Sequence, residues 1–127
     1  MTEQTTNGIK VEVESFHVPE RSQPEQNYYF FAYQVTISNV GSQIAQLVSR
    51  KWIITDAEGH AETVEGPGVV GKQPVLRPGD SFQYTSFCPL TTPVGSMYGH
   101  YQMITEDEER FEAEIAPFSL VVPTAVN

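Results

Sequence analysis

Within "EGPGVVGKQP", residues 65–74, Gly66, Gly68 and Gly71 fall at the spacing G-x-G-x-x-G, which in dinucleotide-binding enzymes wraps a pyrophosphate. That chemistry needs a helix opening directly behind the loop, because the free N–H groups and positive dipole end of the helix hold the phosphates. Here Gly71 leads into "KQPVLRPGD", and Pro74 and Pro78 forbid a helix of useful length. Pro67 removes one amide donor from inside the motif, and no Gly-Lys-Ser/Thr ending completes a P-loop. A helix-free anion nest remains open, with positive-φ glycines turning amides inward and Lys72, Arg50 or Arg77 adding charge. The plainer alternative is that the glycines let a long loop fold tightly over the end of a β scaffold.

Other residues capable of chemistry are scattered. His17, His60 and His100 stand singly, with no second histidine at metal-ligand spacing. "EDEE", 106–109, gathers carboxylates that attract Mg²⁺ or Ca²⁺, yet it lacks the alternating ligands and glycine of an EF-hand loop. It reads first as a solvated hairpin tip. Cys88 is the sole cysteine, so no intrachain disulfide forms and a multi-thiolate zinc site is excluded. Ser81, Ser86 and Ser96 have no G-x-S-x-G context. No catalytic residue is assigned, no metal site or cofactor is expected, and the chain is read as a non-enzyme.

Composition narrows the partners. Sixteen acids against seven bases give a net charge of −9, which repels a phosphate backbone and disfavours nucleic acid. Four of the seven cations, Arg50, Lys51, Lys72 and Arg77, lie between positions 50 and 77, whereas "EDEERFEAE", 106–114, holds six acids against Arg110. The opening "MTEQTTNGIK" lacks the basic and apolar regions of a secretory signal, and no apolar run reaches the roughly 18 residues a membrane helix needs. A cytoplasmic location, away from membranes, is the expectation.

The elements that position these residues are strands. Ile9, Val11 and Val13 alternate with Lys10, Glu12 and Glu14, the period-two pattern of a half-buried strand. "YYFFAYQVTISN" places Tyr29, Phe31, Tyr33, Val35 and Ile37 on one face of a long central strand. "RKWIIT" and "AETVE" flank a hairpin signal at "TDAEGH", 55–60. "RPGD", 77–80, sets Pro and Gly for a type II turn ahead of "SFQYTSF". "MYGHYQMIT" and "RFEAEIAPF" pair across the acidic turn. No apolar repeat of three and four extends over about eleven residues, so no long helix is expected. The fold class is all-β and antiparallel, six to eight strands forming a sandwich or small barrel, with a frayed N-terminus over 1–7, one domain over 8–122 and a short tail over 123–127.

The blocks "SRKWIITDAEGH", "GPGVVGKQPVLRPGDSFQYTS" and "TPVGSMYGHYQM" resemble bacterial ApaG proteins, and the resemblance covers roughly residues 8–120. It implies an immunoglobulin/fibronectin type III-like β-sandwich of about seven or eight strands, in agreement with the strand count. It places the family's glycine motif on Gly66, Gly68 and Gly71 and its Arg-x-Trp segment on Arg50 and Trp52. Related domains are appended to eukaryotic F-box proteins and to a DNA-polymerase-interacting protein, which implies a protein-binding role. The family name reflects genetic association with a diadenosine tetraphosphatase and with cobalt and magnesium resistance, and the resemblance supplies no catalytic residues. Pro67 and "FCPL", 87–90, fall at positions that vary in the family.

The functional expectation is therefore a protein–protein interaction module with an unidentified protein partner, as a monomer or an edge-strand homodimer. Docking would use an edge strand or the loop bearing Gly66, Gly68, Gly71 and Lys72, with Arg50 and Trp52 as interface candidates, since Trp and Arg dominate interface energetics. Core packing is the competing role for Trp52. The alternative is a nucleotide-, pyrophosphate- or divalent-metal-responsive accessory protein, using the glycine loop or the acidic hairpin.

Overall fold

The alternation that begins at Ile9 runs on to His17, and comparable runs recur along the chain. The computed structural model describes residues 1–126. It forms nine strands: β1 (Thr2–Thr6), β2 (Ile9–His17), β3 (Tyr29–Asn39), β4 (Ala45–Asp56), β5 (Ala61–Pro67), β6 (Val75–Leu76), β7 (Ser81–Leu90), β8 (Val94–Thr105) and β9 (Arg110–Val121). Every pairing is antiparallel. One sheet has the order β1-β2-β3-β7, and the other β5-β4-β8-β9 with β6 added to β4. The only helical pieces among the described residues are three short 3₁₀ turns. No helix is long and apolar enough to cross a membrane.

The two sheets bury their alternate residues against each other. Val11, Val35, Leu47, Tyr101 and Leu120 lie in the shared core, the favourable term that offsets chain entropy in such a domain. Trp52 is its aromatic centre, edge-on to Tyr33, Tyr101 and Phe118 at centroid distances of 5.3, 6.3 and 5.9 Å. The hydroxyls of Tyr84 and Tyr101 meet inside the core. That bond removes the cost of burying two unpaired hydroxyls. Burial also raises the pKa of both phenols above the ordinary tyrosine value.

Residues 2–6 are not frayed. They form β1 and pair in register with β2, Thr6 opposite Ile9 and Thr2 opposite Val13. Polar composition hid this strand, because an edge strand with exposed faces carries no apolar alternation. Residues 75–76 add the second unforeseen strand, giving nine rather than seven or eight. Pro123–Val126 form a 3₁₀ turn where a tail was expected, and residue 127 lies outside the described residues.

The two sides of the sandwich differ. On one side the sheets are laced together: the Ser15 hydroxyl donates to the Ser119 carbonyl at 2.8 Å, and the Glu114 amide donates to the Thr6 hydroxyl at 3.3 Å. On the other side β5 and β7 end their sheets. Each carries a proline, Pro67 and Pro89, tolerated there because an edge strand needs no full ladder of donors.

Candidate functional site

The glycine segment is folded into the protein. At Val48 an extra residue enters β4 opposite β8, and such a bulge frees a carbonyl from the ladder. The Val48 carbonyl accepts from the Gly68 amide and from Gln73 Nε2, both at 2.9 Å. Val69 is fully buried, so the loop is pinned into the core by its own side chain. Val69 and Lys72 exchange both backbone bonds, at 2.8 and 2.9 Å, across a turn whose central residues Val70 and Gly71 have φ of 49° and 76°. That is the signature of a I′ turn. Gly68, at φ 60°, approaches so closely that a Cβ there would run into the Lys72 carbonyl oxygen.

Arg50 completes the arrangement from β4. Its Nη1 donates to the Pro67 and Gly68 carbonyls at 3.0 and 2.9 Å, and its guanidinium occupies the space a side chain at Gly66 would take. The amides of Gly68, Val69 and Lys72 are thus used internally and Pro67 has none, which leaves only the tip amides of Val70 and Gly71 for an anion. Arg50 spends its Nη1 on two backbone carbonyls. Trp52 is 2% exposed, so it packs the core and offers no docking surface. Arg50 and Trp52 lie two apart on β4 and share a strand face, Trp52 filling the core and Arg50 reaching the carbonyls of the glycine segment.

The remaining candidates are placed as follows. His17 stacks on Phe31 at 5.6 Å and lies 3.3 Å from the Ser22 hydroxyl. His60 sits on the β4–β5 hairpin, 3.3 Å from Asp56 Oδ2. Partial burial pushes the Asp56 carboxyl upward, but bonds from the His60 and Glu58 amides and from the His60 ring hold it below its ordinary value. His100 faces Glu112 on the outer side of the five-stranded sheet. Cys88 is buried, and desolvation, with a smaller effect from Glu62, pushes its thiol up to about 11, which makes it inert at neutral pH. At the acidic hairpin, Glu106 and Asp107 accept from the Ile44 amide and Gln43 Nε2.

An aromatic surface at one end of the four-stranded sheet was not anticipated. Antiparallel register aligns Phe16 of β2, Ala32 of β3 and Phe87 of β7 in one row on the outer face. Phe16 is 45% and Phe87 51% exposed, with the small Ala32 between them. Phe30, in the next row opposite Pro89, stacks on Phe87 at 5.5 Å and supports it. The segment 18–28 packs over Phe30: the Ser22 hydroxyl accepts from the Phe30 amide at 2.8 Å and donates to the Val18 carbonyl at 2.9 Å. This holds the Arg21 guanidinium 4.2 Å from the Phe30 ring centre and 5.5 Å from that of Phe87. Among the described residues no carboxylate forms an ion pair with Arg21. Clustered exposed aromatics with a stacked arginine are the residue types of energetic interface centres. The sequence signal was parity: Phe16 and Phe87 share the strand face of Glu12, Glu14, Gln83 and Thr85, where an aromatic has no core to enter.

Comparison with known proteins gives a consistent picture. The ApaG domain model (DUF525) matches residues 19–105. A Protein ApaG of Brucella abortus (strain S19) is 58% identical over 118 residues, spanning 93% of this chain and 91% of its own length. A Protein ApaG of Acidithiobacillus ferrooxidans (strain ATCC 53993 / BNL-5-31) is 51% identical over 127 residues, the full length of both. A crystal structure described as an ApaA protein from Bordetella pertussis superposes with a TM-score of 0.89 at 51% identity, covering 91% of this chain and 94% of that one.

Proposed function

This chain belongs to the ApaG domain family, and on that premise we propose that it is a non-enzymatic protein-interaction domain that docks a partner protein on the aromatic end of the β1-β2-β3-β7 sheet. The observation that carries this reading is the row Phe16–Ala32–Phe87, two half-exposed rings on either side of a small buried residue, beside the open edge of β7. Exposed apolar clusters rimmed by polar groups mark interaction sites on otherwise polar proteins. The edge offers unpaired amides and carbonyls to an added strand. Arg21, over the rings and without a carboxylate partner among the described residues, supplies the charge that selects an acidic group on the segment that docks. The expected partner segment is therefore extended, with an apolar side chain to pack against the Phe16 and Phe87 rings and an adjacent Asp or Glu.

The test is a selection of displayed random peptides against the purified chain, followed by amide-shift mapping with the peptides recovered. Peptides that alternate apolar and acidic residues, shift the amides of 83–90, and are not bound by a Phe16→Ser/Phe87→Ser variant support the reading. Peptides that shift 65–74 instead, or bind parent and variant equally, overturn it. Concentration-dependent dimerisation that the same double substitution abolishes would identify a second copy of the chain as the occupant and displace the peptide reading.

A further inference from the structure

The outer face of the other sheet carries a polar row across four strands: Glu65 on β5, Lys51 on β4, His100 on β8 and Glu114 on β9. One step along, Gln102 of β8 stands opposite Glu112 of β9. Residues two apart on a strand share a face, so Glu112 and Glu114 both reach toward the imidazole of the neighbouring strand. His100 Nε2 lies 3.3 Å from Glu112 Oε2. One donor atom from each of His100, Glu112 and Glu114 falls within 4.8 Å of the other two. Two positions of one strand and one of its neighbour hold three ligands on one side of a cation, leaving the far side to water.

We propose that His100, Glu112 and Glu114 form a binding site for a divalent transition cation of the zinc type. One imidazole nitrogen with two carboxylates suits borderline metals, and the imidazole discriminates against magnesium, which prefers oxygen and water. A zinc ion sits about 2.1 Å from such donors, so the three side chains would turn to close around it. The surroundings hold the ligands in place. Gln102 Nε2 donates to Glu112 Oε2 at 2.9 Å and orients that carboxylate, the part that outer hydrogen bonds play around metal sites. The Thr6 hydroxyl accepts from the Glu114 amide and ties this stretch of β9 to β1. The charged groups facing His100 are Lys51 from β4, with Glu65 of β5 beyond it, and Glu112 and Glu114 from β9. Lys51 Nζ lies 3.7 Å from Glu65 Oε1, so its charge is drawn to the side of His100 away from β9. The two carboxylates balance the metal's charge.

A second histidine–carboxylate group, Asp56, Glu58 and His60 on the β4–β5 hairpin, serves as the internal control. There Asp56 Oδ1 already accepts from the Glu58 and His60 amides at 2.8 and 3.0 Å, as the cap of its own turn. The experiment is a zinc titration of the full chain, followed by calorimetry, by imidazole NMR signals and by the melting temperature. Zinc is expected to shift the His100 ring signals and raise the melting temperature, and magnesium to do neither. His100→Ala and the shape-conserving Glu114→Gln should each weaken zinc binding by about tenfold or more, with melting in metal-free buffer confirming that the variants fold. His60→Ala should bind as the parent does, and Lys51→Gln should bind more tightly. Zinc affinity unchanged in both His100→Ala and Glu114→Gln, or zinc shifts confined to the His60 ring, would overturn the assignment.

Discussion

The glycine loop at 66–72 and the aromatic end of the β1-β2-β3-β7 sheet face opposite demands. The loop carries a recognisable spacing, yet apart from the tip amides of Val70 and Gly71 it is held from within: Val48 and Arg50 hold Gly68 and Pro67, and Val69 is buried in the core. The aromatic end carries no named motif, yet it presents rings to water and a guanidinium without a carboxylate partner among the described residues. A binding site is recognised by groups left unsatisfied in the free protein, since satisfied ones have nothing further to gain from a ligand. The loop is therefore built for stability, and the sheet end is the surface proposed for recognition.

Substitutions can break that division. The largest effect is expected at Gly68→Ala, where the left-handed backbone and the Lys72 carbonyl both oppose a Cβ; a loss of about 3 kcal/mol in denaturant unfolding would fit. Arg50→Ala leaves the Pro67 and Gly68 carbonyls without their charged donor and should cost about 2 kcal/mol by the same measurement. A smaller change of opposite sign is expected for Val70→Asn. Valine is a poor residue for φ of 49°, whereas Asn-Gly suits a I′ turn, so thermal unfolding should show a gain of about 0.5–1 kcal/mol. Smallest of all, Phe87→Ser should change stability by less than about 0.5 kcal/mol while removing binding of the selected peptides. If Phe87→Ser unfolds the protein, or Arg50→Ala leaves its stability intact, the division between the two regions fails.

Much of the fold was legible because the long strands alternate cleanly. Ile9–Val13, Tyr29–Ile37 and Phe111–Ile115 follow period two, and the turns at Gly59 and Gly79 adopt the positive φ that glycine permits. β1 escaped because an edge strand of Thr, Glu and Gln looks like a solvated terminus, and β6 because two residues carry no period. The bulges are equally silent in the sequence. Between Ile115 and Phe118 the inward parity slips where β9 carries an extra residue opposite β8, beside Pro117, a residue that cannot donate to the ladder. The candidate site was half legible. Arg50 could be tied to the glycines by charge, but only register shows that it reaches their carbonyls. Phe16 and Phe87 announced themselves by standing on the polar parity of their strands, a signal that counts only once the two strands are known to flank Ala32 in one sheet.

Trp52, the chain's single tryptophan, gives the molecule a built-in optical gauge. Its indole touches residues from both layers and no water-facing surface, so its emission reports whether the layers are together. A ligand settling on the outside of either sheet leaves that light unchanged, whereas parting the sheets turns it red. One fluorescence trace can therefore separate a variant that has lost its grip on a partner from one that has lost its shape.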